Sequence, residues 1–129
     1  MQTNTVAAAV KSALRNAIAA EKAAEAAAAS AITAAGLVFS GGTDHLTDEE
    51  QLEIEVAREA IRERCDVYVA ARARRAAEDR VINWCAAQMR TTAGHAAVAT
   101  DIDMVIKAAL GTNLKARAKV VSLAMRMAA

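Results

Sequence analysis

Apolar side chains recur every three or four residues along most of the chain, which is the spacing of one face of an α-helix. In a chain without proline, this pattern predicts four helices, called here helix A to helix D. Their expected limits are about 5–35, 47–92, 100–110 and 113–128, with loops at 36–46 and 93–99. The expected fold is therefore all-α, an elongated helical bundle or hairpin of about four helices in a single domain.

Helix A is dominated by alanine, which fills 16 of the 29 positions from Ala7 to Ala35. Alanine is the strongest helix former because it loses no side-chain entropy in a helix. Val10, Leu14 and Ile18 form one face, so helix A is locally strong but offers little surface for packing. Gly36 is well placed to end it, since glycine readily takes the left-handed conformation after a helix.

Helix B has the clearest start in the sequence. Thr47 and Glu50 have the spacing of a capping box, in which each residue bonds the backbone of the other. No glycine follows before residue 92. Two apolar series lie along helix B: Ile54, Ala57, Ile61, Cys65 and Tyr68, then Ala73, Ala77, Val81 and Trp84. Opposite charges also lie at helical spacing in five pairs: Glu55/Arg58, Glu59/Arg62, Arg62/Asp66, Arg74/Glu78 and Arg75/Asp79.

The length of helix B predicts an elongated molecule. An unbroken helix over 47–92 is about 69 Å long at 1.5 Å per residue. A compact chain of this size has a radius of gyration of only about 14 Å. We therefore expect either a bend or break in helix B without glycine or proline, or an elongated molecule supported by other chains, and elongation is the favoured alternative. The β-branched residues of 67–69 are the best candidates for a local irregularity.

Helices C and D form a short pair around Gly111. Thr100 is expected to cap helix C, and Thr112 or Asn113 to cap helix D. The expected apolar side of helix D contains Leu114, Ala118, Val121 and Met125, and the opposite polar side contains Lys115, Lys119, Ser122 and Arg126. The pair has the outline of a helix-turn-helix, but a hairpin packed on helix B is the more common meaning of this pattern.

The charge of the chain does not indicate a general nucleic-acid binder, because 16 basic and 15 acidic residues nearly cancel. Only the C-terminal segment has charge of a single sign, since residues 112–129 include basic residues and no acidic ones. Nucleic-acid contact is therefore the alternative for four residues: Lys115, Arg117, Lys119 and Arg126. The basic cluster of Arg72, Arg74 and Arg75 is followed at once by Glu78 and Asp79, which favours internal ion pairs.

No residue pattern indicates catalysis, a cofactor or a metal. Nucleophile elbows, phosphate-binding glycine loops and metalloprotease motifs do not occur in the sequence. The set of Cys65, Cys85, His45 and His95 lacks the close pairs of a zinc site, and in one helix the two cysteines would be about 30 Å apart. Asp101 and Asp103 are explained as acids in the first turn of helix C.

The apolar residues are mostly small, because 36 of the 71 are alanine and only three residues are aromatic. Such a core makes a lone monomer marginal, so self-association or binding to other protein subunits is expected. The composition is similar to that of small alanine-rich helical chains among phage virion and assembly proteins and plasmid accessory proteins, without covering specific residues. The expected packing and interaction residues are Leu14, Ile18, Ile54, Ile61, Tyr68, Val81 and Trp84.

The expected function is therefore a non-enzymatic structural or assembly protein, acting as an oligomer or as a subunit of a larger complex. The alternative is a small nucleic-acid-binding or regulatory module that uses the basic helix D. The expected location is the cytoplasm or a macromolecular particle, because the sequence has neither a signal-peptide layout nor an apolar run typical of a membrane span.

Overall fold

The chain is all-α, as the hydrophobic pattern predicts. The computed structural model describes residues 2–91 and 96–129, and the side chains of residues 7–90 and 102–129. Within these ranges it contains five helices and no strand. The helices are α1 (Gln2–Ala34), α2 (Asp48–Arg64), α3 (Val67–Thr91), α4 (Ala96–Leu110) and α5 (Leu114–Ala128).

The predicted continuous helix B is wrong, because the chain breaks into α2 and α3 at Cys65 and Asp66. Asp66 has a φ of 61° and is therefore in the left-handed region. Aspartate is one of the few residues with a side chain that visits this region, since its short polar side chain can bond locally. The break lies immediately before Val67, the first of the two β-branched residues in 67–69, and it contains neither glycine nor proline.

The left-handed conformation at Asp66 leads to a stability prediction. We expect the free energy of unfolding of Asp66→Gly to be about 1 kcal/mol higher than that of Asp66→Ala, so the glycine variant is the more stable one. The reason is that alanine has a steric cost at positive φ that glycine lacks. Chemical denaturation of the two variants, followed by circular dichroism, measures the difference. Equal stability, or a more stable alanine variant, would mean that residue 66 is not held in the left-handed region.

Two predicted helix starts are confirmed. The Thr47 Oγ1 accepts a hydrogen bond from the Glu50 backbone N–H (3.2 Å), and the Glu50 Oε1 accepts one from the Thr47 N–H (3.3 Å). This is the full capping box, and both bonds satisfy donors that the helix leaves free. At α5 the Asn113 side chain accepts from the N–H of Ala116 (3.1 Å), so Asn113 is the cap.

The end of α1 is also as predicted. Gly36 has a φ of 72°, its N–H donates to the Thr33 carbonyl, and the next N–H, of Leu37, donates to the Ile32 carbonyl. These two bonds form a Schellman motif, which needs a left-handed residue at the position of Gly36.

The predicted start of helix C is wrong. Helix α4 begins at Ala96, and Thr100 lies inside it rather than at its cap. Alanines fill three of the four preceding helical positions, and their high helix propensity extends the helix toward the N-terminus. The remainder of the predicted loop, including Gly94 and His95, lies outside the described residues.

The chain divides into two units. The terminal unit contains Met1–Ile18 and Ala73–Ala129, and the central unit contains Ala19–Arg72. The expected single domain stays a prediction.

The terminal unit has a core built from four helices. Leu14 of α1 is fully buried there, with Val10 and Ile18 packed beside it, so the predicted face of helix A is confirmed. The other buried members lie on α3 (Ala77, Val81, Ile82, Trp84, Cys85, Ala86), α4 (Ile102, Val105, Ile106, Ala109) and α5 (Val120, Ala124). Helices α4 and α5 thus form a hairpin that packs with α3.

The central unit has a smaller core. Among the described residues its buried side chains are Ala28, Ile61 and Val67. Since apolar burial is the main favourable term in folding, so few buried side chains contribute little stability. Polar contacts within this unit therefore take on a larger role in positioning its parts.

Candidate functional site

Arg58 on α2 binds the loop that follows α1. Its Nε and Nη2 both donate to the Leu37 carbonyl, at 3.0 and 2.7 Å, and its guanidinium lies 6.0 Å from the centre of the Phe39 ring. About two turns earlier, the Gln51 amide donates to the Thr43 carbonyl (2.8 Å). Backbone carbonyls in a loop have no partner from regular structure, so these side chains supply one.

Arg62 joins three segments of the central unit. Its Nη1 and Nη2 each lie 3.2 Å from one carboxylate oxygen of Glu25, and its Nε donates to the Tyr68 hydroxyl (3.3 Å). Hydrogen bonding to Tyr68, and then to Glu25, raises the pKa of Arg62 above its ordinary value. The planar guanidinium is suited to such two-pronged binding of a carboxylate.

These inward contacts leave an acidic surface on the outside of α2. The predicted pairs Glu55/Arg58 and Glu59/Arg62 are not formed among the described residues, because both arginines bind elsewhere. An exposed ion pair between neighbours on the same helix contributes only about 0.2–0.5 kcal/mol. A fixed backbone carbonyl or a carboxylate that accepts two hydrogen bonds is therefore the better partner for an arginine. Glu55 and Glu59 are consequently exposed and have no basic partner in the described part of the chain.

Apolar side chains lie among these glutamates. Leu52 and Val56 are 64% and 60% exposed. An open depression of about 380 Å³ includes Val56 and Ala60, and a second of about 400 Å³ extends past Glu59 to Val69 and to one cation, Arg72. We call this surface the α2 face; its members on α2, all exposed, are Glu49, Leu52, Glu55, Val56, Glu59, Ala60 and Glu63.

Of the predicted apolar side of helix D, only Val121 packs against the core of the terminal unit among the described residues. The buried residues of α5 are Val120 and Ala124, whereas Leu114 and Met125 are 70% and 60% exposed. The helix carries two apolar stripes, and the small Ala124 lets the backbone approach the core closely. We call the uncovered side the α5 face; its members, all exposed, are Leu114, Lys115, Ala118, Ser122, Met125 and Arg126.

Two of the four candidate nucleic-acid contacts are paired with acids of the terminal unit. Arg117 lies 3.4 Å from the Asp103 carboxylate, and Lys119 lies 3.2 Å from that of Glu78. Glu78 also binds Arg74 at 2.6 Å, so the predicted Arg74/Glu78 pair is confirmed. The other two candidates are exposed and have no ion pair among the described residues: Lys115 and Arg126.

The seven predicted packing residues lie on the inner sides of their helices. Four are buried: Leu14, Ile61, Val81 and Trp84. Three are half-buried: Ile18, Ile54 and Tyr68. The sequence reasoning missed the exposed apolar residues of α2, although Leu52 and Val56 are four apart and lie opposite Ile54 and Ile61 on the helix.

The described residues contain no group of three metal-binding side chains. Cys65 is half-buried, Cys85 is buried, and both are free thiols. Burial raises the pKa of Cys85 to about 11. Cys65 lies in the turn between α2 and α3 and Cys85 lies in α3, contrary to the single helix expected. No helix in the described part of the chain combines the length and apolarity needed to cross a bilayer.

Comparison with known protein families, curated proteins and solved structures gives no significant match. Functional inference therefore depends on the chain's own surfaces. Among the residues with described side chains, two surfaces combine exposed aliphatic groups with charge of one sign on their own helix: the α2 face and the α5 face.

Proposed function

We propose that this chain is a non-enzymatic structural or assembly subunit that works by associating with copies of itself or with other protein subunits, as a phage virion or assembly component would. The observation that carries the proposal is the uncovered apolar stripe of α5. Leu114 and Met125 expose most of their surface on a helix whose other side fills the core. A contiguous exposed apolar stripe, in contrast to scattered single aliphatic residues, is typical of a surface that another protein covers.

The small cores support the same proposal. The central unit buries an alanine, an isoleucine and a valine among its described residues. Alanine contributes little apolar area, and the chain has only three aromatic residues to supplement it. Binding that occurs only in the folded state adds stability by mass action, which a chain of this kind needs.

The mass of the particle in solution tests the proposal. We expect sedimentation equilibrium at micromolar concentration to give a multiple of 13.5 kDa, with a larger average mass at higher protein concentration. Hydrophobic contact should make the association stronger in the presence of sulfate, which favours burial of apolar surface. A stable monomer at all concentrations, with full helical content and no change in sulfate, would contradict self-association.

One observation favours the alternative, a nucleic-acid-binding or regulatory module: Lys115 and Arg126 are exposed on a helix without acids. The pairing of Arg117 and Lys119 with acids reduces the free positive charge of this helix. Binding of duplex DNA that weakens steeply with salt, and that Lys115→Ala with Lys119→Ala abolishes, would support the alternative, because phosphate contacts release counterions.

A further inference from the structure

We propose that the α2 face of one copy binds the α5 face of a second copy. This inference depends on the proposed function, because it names the partner and the two surfaces of the association. Each copy carries both faces, so the contact is heterologous. Such contacts form rings where the rotation closes and filaments where it does not.

Charge complementarity is the first argument for this pairing. Helix α2 contains seven acidic and three basic residues, whereas residues 112–129 contain four basic residues and no acid. Arg58 and Arg62 contact the loop and α1, so they do not neutralise the exposed glutamates of α2. An acidic face with free carboxylates and a basic face with free cations attract one another and fix their mutual orientation.

The apolar residues supply the second argument. On the α2 face, Leu52 and Val56 are one helical turn apart and are flanked by glutamates. On the α5 face, Leu114 and Met125 lie on the same stripe, with Ala118 between them and cations along one edge. A helix with one apolar stripe and a basic edge fits a shallow depression with an apolar floor and acidic sides. Methionine adapts readily to such a surface.

Four charged residues of the two faces are suited to substitution. Glu59, Glu63, Lys115 and Arg126 are exposed and have no ion pair or hydrogen bond among the described side chains. Substituting them therefore removes no ion pair or hydrogen bond within the described part of the chain. This property makes charge reversal a test of association rather than of folding.

The experiment uses two charge-reversed variants of the full chain. The acid-reversed variant carries Glu59→Lys and Glu63→Lys, and the base-reversed variant carries Lys115→Glu and Arg126→Glu. Each alone brings like charges together, so we expect its association constant to fall at least about tenfold below that of the unmodified chain. Where the two variants alternate in an equimolar mixture, opposite charges again meet at the substituted positions, and sedimentation should return to the mass distribution of the unmodified chain.

Two matched controls carry the same change in net charge outside both faces. Asp44→Lys with Asp79→Lys matches the acid-reversed variant, and Lys22→Glu with Arg75→Glu matches the base-reversed one. All four of these residues are exposed. We expect both controls to associate like the unmodified chain, and circular dichroism should show the same helical content in every variant.

The outcomes separate this pairing from the broader function. A purely monomeric unmodified chain would overturn the pairing and, with it, assembly through self-association. A multimer that neither reversal weakens, or one that the mixture fails to restore, would overturn the pairing and leave the assembly function standing. Duplex DNA binding that is lost in the base-reversed variant while association is unchanged would assign the α5 face to nucleic acid instead.

Discussion

Replacing Leu14 with alanine is expected to lower the free energy of unfolding of the terminal unit by about 3 kcal/mol, as measured by chemical denaturation. Leu14 is fully buried among residues of the terminal core. Truncation of a buried leucine loses transfer free energy and leaves a cavity, which together cost about 2–5 kcal/mol. Alanine is the better helix former, so the change does not weaken α1 locally.

Leu114→Ala is the matched control for this variant. It removes the same atoms from a side chain that is 70% exposed, so its effect on stability should remain within about 0.5 kcal/mol at protein concentrations below the association range. If Leu14→Ala were as mild as Leu114→Ala, α1 would not pack on the core of the terminal unit through this residue.

The second large expected effect concerns the reactivity of the two cysteines. In the native protein at pH 8, a thiol reagent should modify Cys65 readily. It should modify Cys85 at least about a hundredfold more slowly than it does in the unfolded chain. The thiolate is the reactive form. Burial raises the pKa of Cys85 from 9.0 to about 11, so about a hundredfold less thiolate is present at pH 8.

Mass spectrometry after timed labelling, with and without denaturant, measures this difference, and Cys65→Ala isolates the signal of Cys85. The same burial predicts a pH dependence. Below pH 9 the Cys85 thiol keeps its proton in both the folded and the unfolded chain, so it does not change the free energy of unfolding. As pH rises from about 9 through 11, the thiol loses its proton in the unfolded chain first, and the free energy of unfolding falls. The Cys85→Ala variant should lack this component of the alkaline loss. Rapid labelling of Cys85 in native protein would contradict the buried position.

Features that depend on neighbouring residues follow from the sequence. The capping box at Thr47, the glycine end of α1 and the asparagine cap of α5 were all predicted, because each is completed by hydrogen bonds within five residues. The packed face of α1 was also predicted, since it has only one aliphatic stripe. Local geometry leaves little choice in these cases.

Features that require a choice between similar local solutions were not predicted. Asp66 takes the left-handed conformation where the pattern of helix B continues without interruption. Arg58 and Arg62 bind partners 21 and 37 residues away in preference to acids on their own helix. Such preferences depend on which segments the fold brings together, and helical spacing contains no information about them.

By itself, the sequence determined that this protein is all-helical, where several of its helices start and stop, and that its apolar material is scarce and small. Only the tertiary structure decided which apolar stripe of α5 enters the core and which carboxylates of α2 remain free. The physical reason is that helix formation depends on the backbone and its near neighbours, whereas burial and ion pairing depend on what the rest of the chain places opposite each side chain.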